Sequence, residues 1–204
     1  MVSHTAGEQR LTRKGAATRD RIVEGAAQII RERGASAATL DDIRAGTSTS
    51  KSQIFHYFPG GKEELLLAVA AREADRVLTD QEPHLSDLST WQAWQEWRDA
   101  VLRRYELQGV NCPLGVLITE LGRTTPAAQE LTARLITQWQ AALSAGVRRM
   151  QESGAVGRRL DADRAAAAVV AAIQGGVTIL MATGSILHLE AALDMALAYL
   201  RSAV

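Results

Sequence analysis

From Ser50 to Phe58 the chain reads Ser-Lys-Ser-Gln-Ile-Phe-His-Tyr-Phe. Ile54 and Phe58 are apolar and four residues apart, so on a helix they share the face that packs inward. Ser50, Lys51, Ser52, Gln53, His56 and Tyr57 are then left at or near the outward side. Hydroxyls, an amide and a cation on a first helical turn suit the major groove of DNA, where a helix presents its N-terminal residues to base edges. Gln53 is the candidate base reader, because its carboxamide can pair with N6 and N7 of adenine. Lys51 either bonds guanine or neutralises phosphate. The helix start around Thr39 is a second place for an anion. A merely solvated polar helix face is the plainer alternative for any one of these residues.

No other chemistry is assembled. The four histidines, His4, His56, His84 and His188, are scattered without metal-ligand spacing. Neither a glycine-rich phosphate loop nor a nucleophile elbow is present, so no catalytic residue, metal or cofactor is expected and the chain does not read as an enzyme. The single cysteine, Cys112, excludes an internal disulfide framework and suits a reducing cytoplasm. It precedes Pro113 near a helix start, where the dipole lowers a thiol pKa, so a switch by oxidation of Cys112 is an alternative mode of control.

The elements that position these groups are helices. Alanine and leucine dominate the 204 residues, only 4 are proline, and alternating β-branched runs are almost absent. This composition predicts an all-α fold. The first 17 residues carry Arg10, Arg13 and Lys14 among small polar residues and read as a basic flexible arm. Helices are predicted over about Thr18–Arg33, Thr39–Gly46, Ser50–His56 and Lys62–Leu78, with Thr39 and Asp42 forming a capping box and Gly34 ending the first. Beyond a loop at Gln81–Ser89, further helices are expected near Thr90–Leu107, Pro113–Gly122, Pro126–Glu152, Ala162–Ala182 and Leu187–Ser202, about nine in all. The longest apolar stretch, Ala165–Ala182, is interrupted by Gln174, Gly175, Gly176 and Thr178 and reads as a buried helix, not a membrane span.

Charge divides the chain. Met1–Lys62 holds ten Lys/Arg against six Asp/Glu, and the remainder holds 13 against 17. A basic front and an acidic rear suit a two-part protein of which one part meets a polyanion. The divisions are residues 1–17, an arm; 18–61, a helix-turn-helix; and 62–204, a helical sensing and dimerisation domain.

The segment Thr39 to Phe58, followed by Pro-Gly-Gly-Lys62-Glu-Glu-Leu65, resembles the signature of the TetR family of transcriptional regulators. The shared features are a Thr cap, an apolar Ile, a turn, a Ser-Lys opening, an aromatic cluster and a Lys-Glu-x-Leu restart. The resemblance covers roughly Thr18 to Ala70. It implies phosphate contacts from Tyr57 and Lys62, and Arg13 and Lys14 join the candidate DNA-binding set. Two positions depart from the family pattern: Ser48 stands where the turn commonly carries glycine, and Phe55 where tyrosine is frequent. Asn111-Cys112-Pro113-Leu114-Gly115, with the Pro-Gly-Gly-Lys at 59–62, further resembles the LmrA/YxaF-like subgroup, several of whose members answer to drug-like compounds.

The implied function is a repressor on double-stranded DNA, released from a palindromic operator by a small hydrophobic or drug-like effector. A short recognition helix covers few base pairs, so specificity requires a homodimer. The last two helices are the expected dimer seam, through Ile173, Val177, Leu180, Leu189, Leu193 and Leu197. The expected effector cavity is lined by Trp94, Arg98, Val101, Tyr105, Leu117, Ile118, Leu121, Trp139, Gln174 and Thr178, although aromatics at helical spacing are more often plain core. A helical interaction protein without DNA binding is the remaining alternative. No membrane partner is expected, and the cytoplasm is the expected location.

Overall fold

The computed structural model describes residues 11–34, 37–110, 112, 115 and 125–203. Among them the chain forms eight helices and no strand: α1 Arg13–Arg33, α2 Leu40–Thr47, α3 Lys51–Tyr57, α4 Gly61–Thr79, α5 Trp91–Gln108, α6 Pro126–Glu152, α7 Ala162–Thr183 and α8 Leu187–Ser202. The helix expected at Pro113–Gly122 lies outside the described residues, Gly115 apart.

Local chemistry sets the boundaries. The Thr39 hydroxyl accepts from the Asp42 amide while the Asp42 carboxylate accepts from the Thr39 amide, so the capping box forms with both bonds. Thr90, Thr125 and Asp161 cap α5, α6 and α7 in the same way with their side-chain oxygens. The start of α1 departs from the sequence reading. Thr12 accepts from the Gly15 amide and opens the helix at Arg13, so Arg13 and Lys14 belong to its first turn instead of a flexible arm. Cations oppose the dipole at that end, which makes Arg13-Lys14 a poor start signal in sequence.

Two cores share α4. Ile22, Ala26, Ile30, Ile43, Ile54 and Phe58 close around Leu65, Leu66, Val69 and Ala70 at the front of that helix. Its rear half gives Ala74 and Val77 to the larger core of α5–α8. The helix is thus a single rod embedded at both ends. Glu73, buried at its middle, accepts from Arg31 of α1 at 3.1 Å and from Arg76 at 3.0 Å, and Glu24 of α1 pairs with Arg31, Arg72 and Arg76. This five-residue network clamps the front helices to the rod.

Inside the rear core, Gln81 Oε1 accepts from both Trp97 Nε1 at 2.7 Å and Trp139 Nε1 at 3.1 Å. Buried indole N–H groups need such an acceptor. Helix α7 is long and apolar enough to cross a bilayer by composition alone, but one face of it packs against α6 and α8. Gly176 makes the α8 contact possible. A Cβ there would lie 2.5 Å from the Leu189 Cα, so any larger residue would force the helices apart.

Candidate DNA-binding site

Ser50 caps α3 and does so jointly with Gln53: the Ser50 hydroxyl accepts from the Gln53 amide at 3.2 Å, and the Ser50 amide donates to Gln53 Oε1 at 2.9 Å. The candidate reader is therefore also half of a capping box. Its carboxamide oxygen is engaged, while Nε2 makes no hydrogen bond with the described residues and can donate outward. Lys51, Ser52, Gln53 and His56 are exposed in one run, and Ser52 Oγ lies 3.0 Å from Ser50 Oγ. Tyr57 is half-buried with its ring edge-on to His56.

The turn before α3 solves the missing-glycine problem by strain. Ser48 adopts the left-handed conformation at φ 51° and ψ 43°. A β-carbon in that region costs about 1–2 kcal/mol. The turn is held by Thr49 donating to the Arg44 carbonyl and by the buried hydroxyl pair Thr47–Thr49 at 2.6 Å.

Around α3 the structure gathers more than the sequence indicated. The Tyr57 hydroxyl lies close to Gly15, 3.6 Å from where a Cβ would stand, so it adjoins the first turn of α1 with exposed Arg13 and Lys14. That turn contains no acidic residue. Free amides, two cations and a phenol at one place suit a phosphate. The first turn of α2 differs: Asp41 and Asp42 occupy it, and Asp42 is itself paired with Arg33 at 3.0 Å. Hydrogen bonds from Thr39 and the charge of Arg33 hold the Asp42 carboxyl below its ordinary pKa. A phosphate at Thr39 must compete with these carboxylates. Lys62 is half-buried at the start of α4 with no ion pair among the described residues.

Phe55, which stands where tyrosine is frequent, is 41% exposed and lines a hollow with Leu40, Arg44 and Lys51. An exposed ring on this face can meet a thymine methyl. The signal was available in sequence, since Phe55 falls off the Ile54–Phe58 face.

The described residues among those expected around an effector lie in different settings. Trp94, Val101, Tyr105 and Trp139 are at most 3% exposed and belong to the packed rear core. Burial pushes the Tyr105 phenol far above its ordinary pKa. Arg98 points elsewhere, into an ion cluster with Asp99, Glu190 and Asp194 that ties α5 to α8. The Thr178 hydroxyl donates to the Gln174 carbonyl one turn back and is exposed. Leu117, Ile118 and Leu121 lie outside the described residues. Trp94 Nε1 is buried without an acceptor.

The residues expected at the dimer seam lie inside the protomer. Ile173, Val177, Leu180, Leu189, Leu193 and Leu197 are all at most 5% exposed within one protomer, where they join α7 to α8. Residues buried inside a subunit cannot line its surface. The apolar side chains these helices leave open are Ile179, Leu187, Met195 and Tyr199, at 37%, 61%, 69% and 58% exposed. Gly175 also faces open space. Cys112 is buried and accepts from the Gly115 amide at 3.3 Å, the geometry of a helix cap.

Residues 22–69 match the model of bacterial regulatory proteins of the tetR family, and residues 90–196 match the tetracyclin repressor-like C-terminal domain. The latter does not single out the LmrA/YxaF-like subgroup. An uncharacterized HTH-type transcriptional regulator of Mycobacterium tuberculosis is 28% identical over 110 residues, 51% of this chain and 53% of that protein. The chain thus spans about half the length of the mycobacterial relative it matches. The repressor AcnR of Corynebacterium efficiens is 40% identical over 60 residues, 29% of this chain and 31% of that one. A TetR transcriptional regulator of Chloroflexus aurantiacus superimposes with a TM-score of 0.76 at 26% identity, covering 92% of this chain and 96% of that structure. With both of its halves matched, the chain belongs to the TetR family of helix-turn-helix transcriptional regulators, a family of DNA-binding proteins and not of enzymes.

Proposed function

We propose that this protein is a repressor that binds a palindromic operator as a homodimer in the cytoplasm and leaves it when a small molecule enters the rear domain. The observation that carries the DNA half is the exposed polar run Lys51–Gln53 on a doubly capped helix, beside a cationic α1 terminus and Tyr57. Lys51, Arg13, Lys14, Lys62 and Tyr57 serve the phosphates; Gln53 Nε2, Ser52, His56 and Phe55 face the bases.

The dimer half is supported by the exposed apolar side chains Leu187, Met195 and Tyr199 on α8 and Ile179 on α7. A second copy buries such a surface best by presenting the same two helices. For the effector, the buried and unsatisfied Trp94 Nε1 favours a ligand with an acceptor group. The α4 rod, held in both cores, carries the change forward to α1–α3.

Binding to duplex DNA of mixed sequence, followed by fluorescence anisotropy at rising potassium chloride, tests the DNA half. A protein that neutralises several phosphates loses affinity linearly in log salt, with a slope of about −0.9 per contact. Lys51→Ala should flatten the slope by about one contact. A slope near zero contradicts the reading.

A further inference from the structure

A cleft of about 710 Å3 lies where α1, α4 and α5 meet, and its lining includes none of the residues expected to bind an effector. Its walls carry four arginines, Arg31, Arg76, Arg103 and Arg104, alongside three carboxylates, Glu73, Asp80 and Glu82. Glu73 is already satisfied by Arg31 and Arg76, and Asp80 by Arg104. The surplus is cationic. Arg103 is exposed and has no ion pair among the described residues. Arg104 Nε is buried on the same wall without any acceptor, although its terminal nitrogen is engaged.

We infer that this cleft is a binding site for a small oxyanion, a carboxylate or phosphate compound, with Arg103 and Arg104 as its anchors. A forked guanidinium whose Nε is unmatched presents the edge that bidentate oxyanions take. Gln108 Oε1 is likewise buried without a donor at the cleft. It can accept from a hydroxyl or amine where the anion bears one. Because Arg31 belongs to α1 and Arg103 to α5, such a ligand touches the front and rear halves of the molecule at once.

The site goes beyond the DNA reading and is measured without DNA, so either can fail alone. Succinate and inorganic phosphate are titrated calorimetrically into the full chain at constant ionic strength, and whichever binds more tightly names the source of the oxyanion. Saturable binding is expected, weakened about tenfold in Arg103→Ala and in Arg104→Gln. Arg103 has no structural partner, so its variant keeps the fold even if Arg104→Gln does not. Lys51→Ala, on the DNA face, should bind as the parent does. No saturable binding of either anion overturns the inference. So does binding that survives Arg103→Ala or is lost in Lys51→Ala.

Discussion

Gln53 Oε1 accepts from the Ser50 backbone amide at 2.9 Å, so the side chain best suited to read a base also fastens the start of the recognition helix. Removing it would conflate two effects. Gln53→Ala should cost about 1 kcal/mol of stability through the cap and relax base preference by about 1–3 kcal/mol at one position per half-site. Gln53→Glu separates them. It retains the capping acceptor and so the melting temperature, but removes the outward donor and adds a negative charge facing DNA. Thermal melts beside binding assays check this: equal losses of stability in both variants would contradict the dual role.

Ser48 gives a second test. Its left-handed conformation is strained for serine and free for glycine, against which glycine loses more entropy on folding. Ser48→Gly should therefore raise stability by about 0.5–1 kcal/mol. Denaturant unfolding measures it, and a destabilised variant would mean that the Ser48 side chain holds the turn.

Acid should loosen the α1–α4 clamp. Burial by itself would raise the Glu24 pKa, but the hydrogen bond and charge of Arg76, with Arg31 and Arg72, outweigh it and hold the carboxyl below its ordinary value. The unfolded chain therefore takes up the proton first as pH falls. The stabilisation is fully present above the ordinary glutamate range and is lost below about pH 4–5. Melting temperature followed from pH 7 to pH 3 should fall less steeply in Glu24→Gln than in the parent. Parallel curves would show that Glu24 does not contribute.

Adjacent glycines on α7 separate fold from assembly. Gly176 meets the α8 backbone, so Gly176→Ala should cost about 1–3 kcal/mol by overpacking. Gly175 faces outward, so Gly175→Arg should leave the protomer folded while shifting sedimentation from dimer to monomer. Loss of the fold in Gly175→Arg, or an intact dimer, would remove that face from the interface.

Much of this was legible in the chain. Thr39 with Asp42 and Ser50 with Gln53 state their helix starts locally, and Ile54 and Phe58 fix which side of α3 faces inward. Local signals failed where the outcome depends on a neighbour. The Leu189-Leu193-Leu197 spacing marks a buried stripe but does not say whether the partner is α7 of the same chain or a second copy. Trp94 and Trp139 have the composition of a cavity wall, yet they meet other side chains in a packed core. Arg98 and the Glu73 clamp join residues far apart in sequence, which no spacing rule reveals.

The central claim is sequence-specific DNA binding by a symmetric pair of α3 helices. Selection of bound duplexes from a random pool tests it directly. The account predicts recovery of an inverted repeat whose half-sites are spaced by about one turn of DNA or a multiple of it, with enrichment lost in Lys51→Ala combined with Gln53→Glu. Recovery of no common sequence, or of one that the double variant still selects, would contradict it.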